Sequence, residues 1–272
     1  MEKLTNSWNI IKMIKLRYSK RGDKEMKENF FKYEYGVIIS CDVESLSILE
    51  NLLKQTLDIE GMVGYKVGCI LALKYGLPDV VKTVRKYSNS PVIYDHQKAG
   101  TDIPMTAPDF AKVCKNAGVE SVIVFPQSGP EAERFFINSI LEERMIPIIG
   151  GEMTHPKYLA KDSGFLRDES PLEMYRLGAK LGVKYFVVPG NKPESIQRYS
   201  ELLSKVIEKP RFLLPGIGRQ GGNIETAFQA TKGKPSYAII GSAIYKAGDI
   251  REAAKNFCKV ALNFTKNKSR KI

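Results

Sequence analysis

From Tyr35 onward the chain alternates between short apolar runs and longer segments whose apolar residues recur with helical spacing. The runs are nearly all apolar and rich in β-branched residues, a pattern typical of parallel strands buried on both faces. They predict strands at Val37–Cys41, Met62–Val67, Val92–Tyr94, Ser121–Phe125, Ile146–Ile149, Tyr185–Val188, Phe212–Leu214 and Tyr237–Ile240. The segments between and after them predict helices at Ser45–Lys54, Asp79–Tyr87, Ala107–Asn116, Pro130–Glu143, Pro171–Leu181, Pro193–Ile207, Ile224–Thr231 and Ile250–Phe264.

Eight strands, each followed by a helix, predict a single-domain (β/α)8 TIM barrel over residues 35–264. A doubly wound open sheet is the alternative, although such sheets usually have fewer strands. Residues 1–34 are predicted to form a basic N-terminal extension, flexible or a short helix. Residues 265–272 are predicted to form a basic C-terminal tail.

The net charge of +12 raises the question of an anionic partner. Residues 1–34 carry nine Lys and Arg against five Asp and Glu, and residues 265–272 carry four Lys and Arg, so the two ends hold two thirds of the excess. Such ends could attract RNA or an anionic membrane, but solvation of the termini is the favoured explanation. We therefore predict no specific nucleic-acid partner and no membrane association.

The lack of a long apolar run and the spacing of the cysteines argue against a membrane protein and a disulfide-rich secreted protein. No apolar run approaches the roughly 18–20 residues of a membrane span. The four cysteines (Cys41, Cys69, Cys114 and Cys258) are far apart and form no CxxC pair. This usage favours a reducing cytoplasm over a disulfide framework or a zinc site.

Charged residues cluster where the active site of a barrel lies, at the carboxyl ends of the strands. Asp42 follows the first strand, Lys66 lies inside the second, and Asp95, Lys98 and Asp102 follow the third. A lysine inside an apolar strand is costly without a partner, and these carboxylates offer one. A structural salt-bridge network would also fit, but clustering at the barrel mouth favours a catalytic array.

Glycine-rich segments follow the last two strands. The seventh strand is followed by "PGIGRQGG", which contains Pro215, Gly218, Arg219, Gln220, Gly221 and Gly222, and the eighth by Gly241 and Ser242. Glycines allow backbone N–H groups to approach a ligand, and barrels often bind phosphate at this position. We predict a phosphate site there, with Arg219 adding a positive charge; the alternative is that the glycines only shape a tight turn.

These segments together resemble the orotidine 5′-phosphate decarboxylase family, from about Tyr35 to Ala253. The resemblance is carried by "SCDVESL", "GYKVG", "DHQKAGTDIP", "EMTHP" and, most specifically, "PGIGRQGG". It implies conversion of orotidine 5′-phosphate to uridine monophosphate and CO2 in pyrimidine biosynthesis, without a metal or an organic cofactor. It also implies a homodimer.

The resemblance also implies residue roles. Asp95 would face the substrate carboxylate, and Lys98 would stabilise the developing carbanion and protonate it. Lys66 and Asp42 would orient this array and bind ribose hydroxyls, and Asp102 would reach into the neighbouring subunit's site. The remaining substrate contacts are assigned to Thr154 at the pyrimidine edge, Gln220 between base and phosphate, and Pro215, Gly218, Arg219, Gly221, Gly222, Gly241 and Ser242 around the phosphate.

The sequence departs from the family pattern at two places. The third-strand element reads D-x-x-K-x-x-x-D, one residue longer on each side of the lysine than the family's D-x-K-x-x-D. The family's arginine after strand eight is replaced by Ser242, and Arg219 could supply the missing charge.

Two other functions stay open at this stage. One is a Mg²⁺-dependent sugar-phosphate aldolase or decarboxylase on the same scaffold. Such enzymes typically place a glutamate beside strand two and lack the Gln-Gly-Gly of the seventh loop, so Lys66 and Gln220 argue against this. The other is an inactive barrel that binds nucleotide or RNA, which would leave the charged cluster without a role.

Overall fold

A computed structural model describes residues 30–97 and 100–269. Most of the predicted N-terminal extension (residues 1–29) and the end of the predicted C-terminal tail (residues 270–272) therefore lie outside the described residues. Lys98 also lies outside them. The unit that contains the barrel begins at Tyr33.

The described residues contain eight parallel strands that close into a barrel in sequence order, with β1 paired to β8. The strands are β1 (Tyr35–Ser40), β2 (Met62–Gly68), β3 (Val92–Asp95), β4 (Ser121–Val124), β5 (Ile146–Gly150), β6 (Tyr185–Val187), β7 (Arg211–Leu214) and β8 (Ser236–Ile240). The predicted (β/α)8 barrel is confirmed, and the open-sheet alternative is wrong because the edge strands pair with each other.

Helices surround the barrel. They are α1 (Leu46–Thr56), α2 (Cys69–Tyr75), α3 (Leu77–Arg85), α4 (Ala107–Asn116), α5 (Pro130–Glu142), α6 (Ser170–Lys180), α7 (Pro193–Ser204), α8 (Ile224–Ala230), α9 (Ser242–Tyr245) and α10 (Ile250–Ser269), with short 3₁₀ turns at Pro104–Thr106 and Ala160–Asp162. Among these, none is long and apolar enough to cross a membrane.

Three helical features differ from the predicted ones. The sequence pattern missed α2 and α9, which are short and follow their strands without an intervening polar turn. The predicted end of the last helix at Phe264 is wrong, because α10 continues to Ser269. The five residues after Phe264 contain neither Gly nor Pro, so nothing in them stops a helix. The predicted tail is therefore helical over most of its length.

Successive side chains along each strand point alternately towards the surrounding helices and into the barrel, which gives two apolar layers. Ile39 of β1, Val122 of β4 and Ile240 of β8 pack with the helices in the main hydrophobic core. Their chain neighbours point instead into the barrel, and towards the carboxyl ends of the strands this inward set becomes polar. The period of two residues in a strand thus decides which side chains reach the barrel mouth.

Candidate active site

A cavity of about 280 Å³ opens at the carboxyl ends of the strands. Its walls come from the ends of several strands and from the loops that follow β5, β7 and β8. The residues that line it are Ser40, Asp42, Lys66, Asp95, Gln97, Ile123, Phe125, Glu152, Met153, Thr154, Val187, Pro215, Gly216, Ile217, Arg219, Gln220, Ile239, Gly241, Ser242 and Tyr245. It is thus charged and polar over much of its wall, with an apolar floor.

Lys66 lies at the centre of the charged wall, between two carboxylates. Its Nζ is 2.8 Å from Asp95 Oδ2 and 3.3 Å from both carboxylate oxygens of Asp42. Parallel pairing sets this up, because Lys66 is opposite Ser40 in β1, whose Oγ donates to Asp42 at 2.6 Å. Two of the predicted partners of the buried lysine, Asp42 and Asp95, are therefore in contact with it.

A glycine makes room for this arrangement. A Cβ atom at Gly68 would lie 2.4 Å from Asp42 Oδ1, a distance that no side chain could tolerate. Gly68 also pairs with Asp95 across β2 and β3. The close approach of the Asp42 carboxylate to the end of β2 therefore requires glycine at this position.

The electrostatics keep Lys66 charged. Its side chain is only 8% exposed, and burial by itself lowers the pKa of Lys66, but the carboxylates of Asp95 and Asp42 raise it above the ordinary value. The Asp95 Oδ1 atom is buried and has no hydrogen-bond partner among the described residues. The pair thus presents a fixed ammonium and a carboxylate oxygen to which no described residue donates a hydrogen bond.

A second ion pair, between the buried Glu152 and the partly exposed Lys192, holds the loop after β5. Glu152 is 2% exposed, and it accepts hydrogen bonds from Lys192 Nζ at 2.8 Å and from the Tyr199 hydroxyl. Lys192 also donates to the Met153 carbonyl at 3.0 Å. These contacts fix the backbone that carries Thr154 into the cavity.

Only some of the predicted substrate-binding residues in the loop after β7 line the cavity. Pro215, Arg219 and Gln220 line it. Gly218, Gly221 and Gly222 do not, and their N–H groups donate to carbonyls of the same loop at 2.9–3.0 Å.

In this structure these three glycines help to shape the loop, and their role in binding a phosphate remains a prediction. Gly218 and Gly221 have φ of +87° and +85°, which favours glycine. A Cβ atom at Gly222 would lie 2.6 Å from the Gly216 carbonyl oxygen.

The loops after β5 and β7 are joined by one side chain. Asn191 Nδ2 donates to the Thr154 carbonyl at 3.1 Å and to the Gln220 carbonyl at 3.4 Å. Gly241 and Ser242, which follow β8, line the same cavity as Arg219. Nine of the predicted site residues thus meet in one cavity.

Two predicted catalytic residues are not among them. Lys98 follows Gln97 in the chain but lies outside the described residues. Asp102 is exposed and does not line the cavity of its own chain; its Oδ1 accepts a hydrogen bond from the Ile103 N–H at 2.7 Å. Its predicted role in a neighbouring subunit remains a prediction.

Sequence reasoning missed several lining residues. Ser40 and Phe125 each stand two residues from another lining position of a predicted strand, so strand alternation could have identified them. Gln97 lies in the turn after β3, which that alternation does not reach. The only sequence feature that distinguishes Glu152 is its charge, directly after the two glycines at the end of β5. Tyr245 gave no signal, because α9 was not predicted.

Comparisons with known proteins agree with this architecture. Residues 36–257 match the family described as "Orotidine 5'-phosphate decarboxylase / HUMPS family". The chain is 32% identical over 221 residues to an orotidine 5′-phosphate decarboxylase of Pyrococcus furiosus, covering 80% of this chain and 94% of that one. It is 28% identical over 218 residues to an orotidine 5′-phosphate decarboxylase of Methanosphaera stadtmanae, covering 80% and 93%.

Solved structures are similar over the same region. Orotidine 5′-monophosphate decarboxylase from Methanocaldococcus jannaschii, complexed with the inhibitor BMP, superposes with a TM-score of 0.73 at 25% identity. The superposition covers 84% of this chain and 99% of that one. The decarboxylase from Pyrococcus horikoshii gives 0.68 at 26% identity, covering 82% and 97%.

Proposed function

Since the chain belongs to the orotidine 5′-phosphate decarboxylase / HUMPS family, we propose that it converts orotidine 5′-phosphate to uridine monophosphate and CO2 in pyrimidine biosynthesis. The observation that carries this assignment is the buried ammonium of Lys66 between the carboxylates of Asp42 and Asp95. The array lies in a cavity that the Arg219–Gln220 segment of the seventh loop also lines.

The reaction requires charged side chains that are already held in position around the reacting ring carbon. The bond from the pyrimidine ring to its carboxylate breaks, CO2 leaves, and the electron pair stays on the ring carbon until a proton arrives. Asp95 would face the departing carboxylate, and Lys98 would stabilise the carbanion and donate the proton. Lys66 would hold Asp95 in place and, with Asp42, bind ribose hydroxyls. Such preorganised charge is the usual source of large rate enhancements.

Arg219 is proposed to bind the substrate phosphate. Among the described residues that line the cavity, Lys66 and Arg219 carry the positive charges, and Lys66 is already paired with two carboxylates. The N–H groups of Gly218, Gly221 and Gly222 are bonded within their own loop. A guanidinium suits a phosphate because it can donate two parallel hydrogen bonds.

The base would lie against the loop after β5. Thr154 offers a hydroxyl and backbone groups to the pyrimidine edge, and Gln220 would bridge the base and the phosphate. The buried Glu152–Lys192 pair and the Asn191 amide hold these two loops in position. These contacts tie the loops after β5 and β7 together without a bound substrate.

The family name also covers HUMPS enzymes, and a Mg²⁺-dependent sugar-phosphate reaction was the alternative. Among the described residues, no three His, Cys, Asp or Glu side chains are arranged to hold a metal ion. The carboxylates of Asp42 and Asp95 are instead neutralised by Lys66. This arrangement supports a metal-free decarboxylase, and chelation of divalent cations tests it.

A homodimer is the proposed assembly, with Asp102 acting in the partner's site. Exposed apolar side chains support such an interface, since Ile70 and Leu73 on α2 are 66% and 78% exposed and Ile103 beside Asp102 is 61% exposed. The cytoplasm is the proposed location. The four cysteines form no disulfide, which suits a reducing compartment.

The test is loss of ultraviolet absorbance when the purified protein is mixed with orotidine 5′-phosphate, with and without EDTA. We expect EDTA-insensitive conversion to uridine monophosphate. Nucleotide binding without conversion would support the inactive barrel, and conversion that EDTA abolishes would support the magnesium-dependent class.

A further inference from the structure

The longer third-strand loop places Gln97 at the cavity, next to the proposed catalytic centre. Several residues that line the cavity come in pairs two residues apart: Ser40 and Asp42, Ile123 and Phe125, Ile239 and Gly241. Asp95 and Gln97 form the same kind of pair at the end of β3. Both residues therefore line the same cavity, although β3 ends at Asp95 and Gln97 lies in the turn that follows it.

His96 secures this register from the opposite side. Its ring lies outside the cavity, where Nδ1 is 2.6 Å from the Tyr94 hydroxyl and the ring packs edge-on against Phe110 of α4, with centroids 5.8 Å apart. His96 is thus held among these aromatic rings, whereas its neighbours Asp95 and Gln97 both line the cavity.

We propose that Gln97 contacts the substrate by donating a hydrogen bond from its side-chain amide to the carboxylate that is lost as CO2. This inference rests on the proposed function. Asp95, which stands two residues before Gln97 at the end of β3 and lines the same cavity, is the group assigned to face that carboxylate. A neutral amide can bind the carboxylate without cancelling the negative charge of Asp95 beside it. Gln97 is exposed at the cavity rim, so a bound nucleotide can reach it.

The experiment compares two ligands that differ only in the carboxylate. The kcat/KM for orotidine 5′-phosphate and the inhibition constant of uridine monophosphate are measured for wild type, Gln97→Ala and Gln97→Glu. Loss of a hydrogen bond to a charged group should lower kcat/KM about tenfold or more in Gln97→Ala. Gln97→Glu should lose more, because a second carboxylate would repel the substrate. Uridine monophosphate should bind all three proteins within about twofold.

The matched control is Gln197→Ala, which makes the same chemical change on the exposed surface of α7 and should leave both constants unchanged. A wild type that converts no substrate would overturn the proposed function itself. If wild type is active, an unchanged kcat/KM in Gln97→Ala overturns the inference about Gln97. Equal losses for both ligands would also overturn it, because they would place the contact away from the carboxylate.

Discussion

Removal of the Arg219 guanidinium should weaken catalysis through the substrate phosphate alone. Ser242 replaces the arginine that the family pattern carries after strand eight, and the neighbouring glycine N–H groups are bonded within their loop. Arg219 is the remaining cation on this part of the cavity wall within the described chain. The variant Arg219→Ala therefore removes the main positive charge proposed for the phosphate.

The expected loss is intermediate in size. Hydrogen bonds to charged groups are worth about 1.5–3 kcal/mol each, and a bidentate guanidinium makes two. Arg219 is exposed at the rim, where water and salt weaken the attraction. We therefore expect about 2–4 kcal/mol in total, a roughly 30- to 1000-fold fall in kcat/KM for orotidine 5′-phosphate.

The assay compares orotidine 5′-phosphate with orotidine, the same molecule without phosphate. Arg219→Ala should lower kcat/KM for the nucleotide and leave that for the nucleoside nearly unchanged. Arg198→Ala, on the exposed face of α7, is the matched control and should affect neither. The double variant Arg219→Ala/Ser242→Arg should recover part of the loss, because it restores a guanidinium at another residue that lines the same cavity. Equal losses for both substrates, or no loss at all, would refute the phosphate assignment.

Three other outcomes follow from the same structure. Lys66→Met should abolish turnover and lower the free energy of unfolding by about 3–5 kcal/mol in urea titrations, because Asp95 is left buried without its partner; an equally stable variant would contradict this. Burial raises the pKa of Glu133 to about 8, so stability should fall as pH rises from about 4.5 to 8, the range in which only the unfolded carboxyl ionises. Glu133→Gln should then be more stable than wild type at pH 8 by up to about 4 kcal/mol, and a stability difference that does not change with pH would argue against it. Mixing the inactive variants Lys98→Ala and Asp102→Ala should restore about a quarter of wild-type activity if Asp102 acts across a dimer interface, since mixed dimers contain one intact site; no recovery would place Asp102 elsewhere.

Much of the fold could be predicted because the strands of a parallel barrel are short, apolar and regularly spaced. All eight predicted strands are present, and the predicted Ala107–Asn116 helix has the same bounds as α4. The short helices α2 and α9 were missed because they have no polar boundary with the preceding strand. Local patterns do not contain the tertiary packing that stabilises such short segments.

The candidate site was predictable to a similar degree. Lys66 could be predicted as a site residue because it is a charged residue inside an apolar strand, and it contacts Asp42 and Asp95. The Glu152–Lys192 pair could not be predicted, because its members are forty residues apart and are brought together only by the neighbouring positions of β5 and β6. Nor does the sequence reveal which glycines of the seventh loop face a ligand and which bond to their own loop.

The most direct test of the central claim is release of labelled CO2 from carboxyl-labelled orotidine 5′-phosphate by wild type and by Lys98→Ala under identical conditions. We predict release by wild type in the presence of EDTA and none above background from Lys98→Ala, although the variant should still bind uridine monophosphate. Release at the wild-type rate by Lys98→Ala, or no release by wild type, would contradict the account.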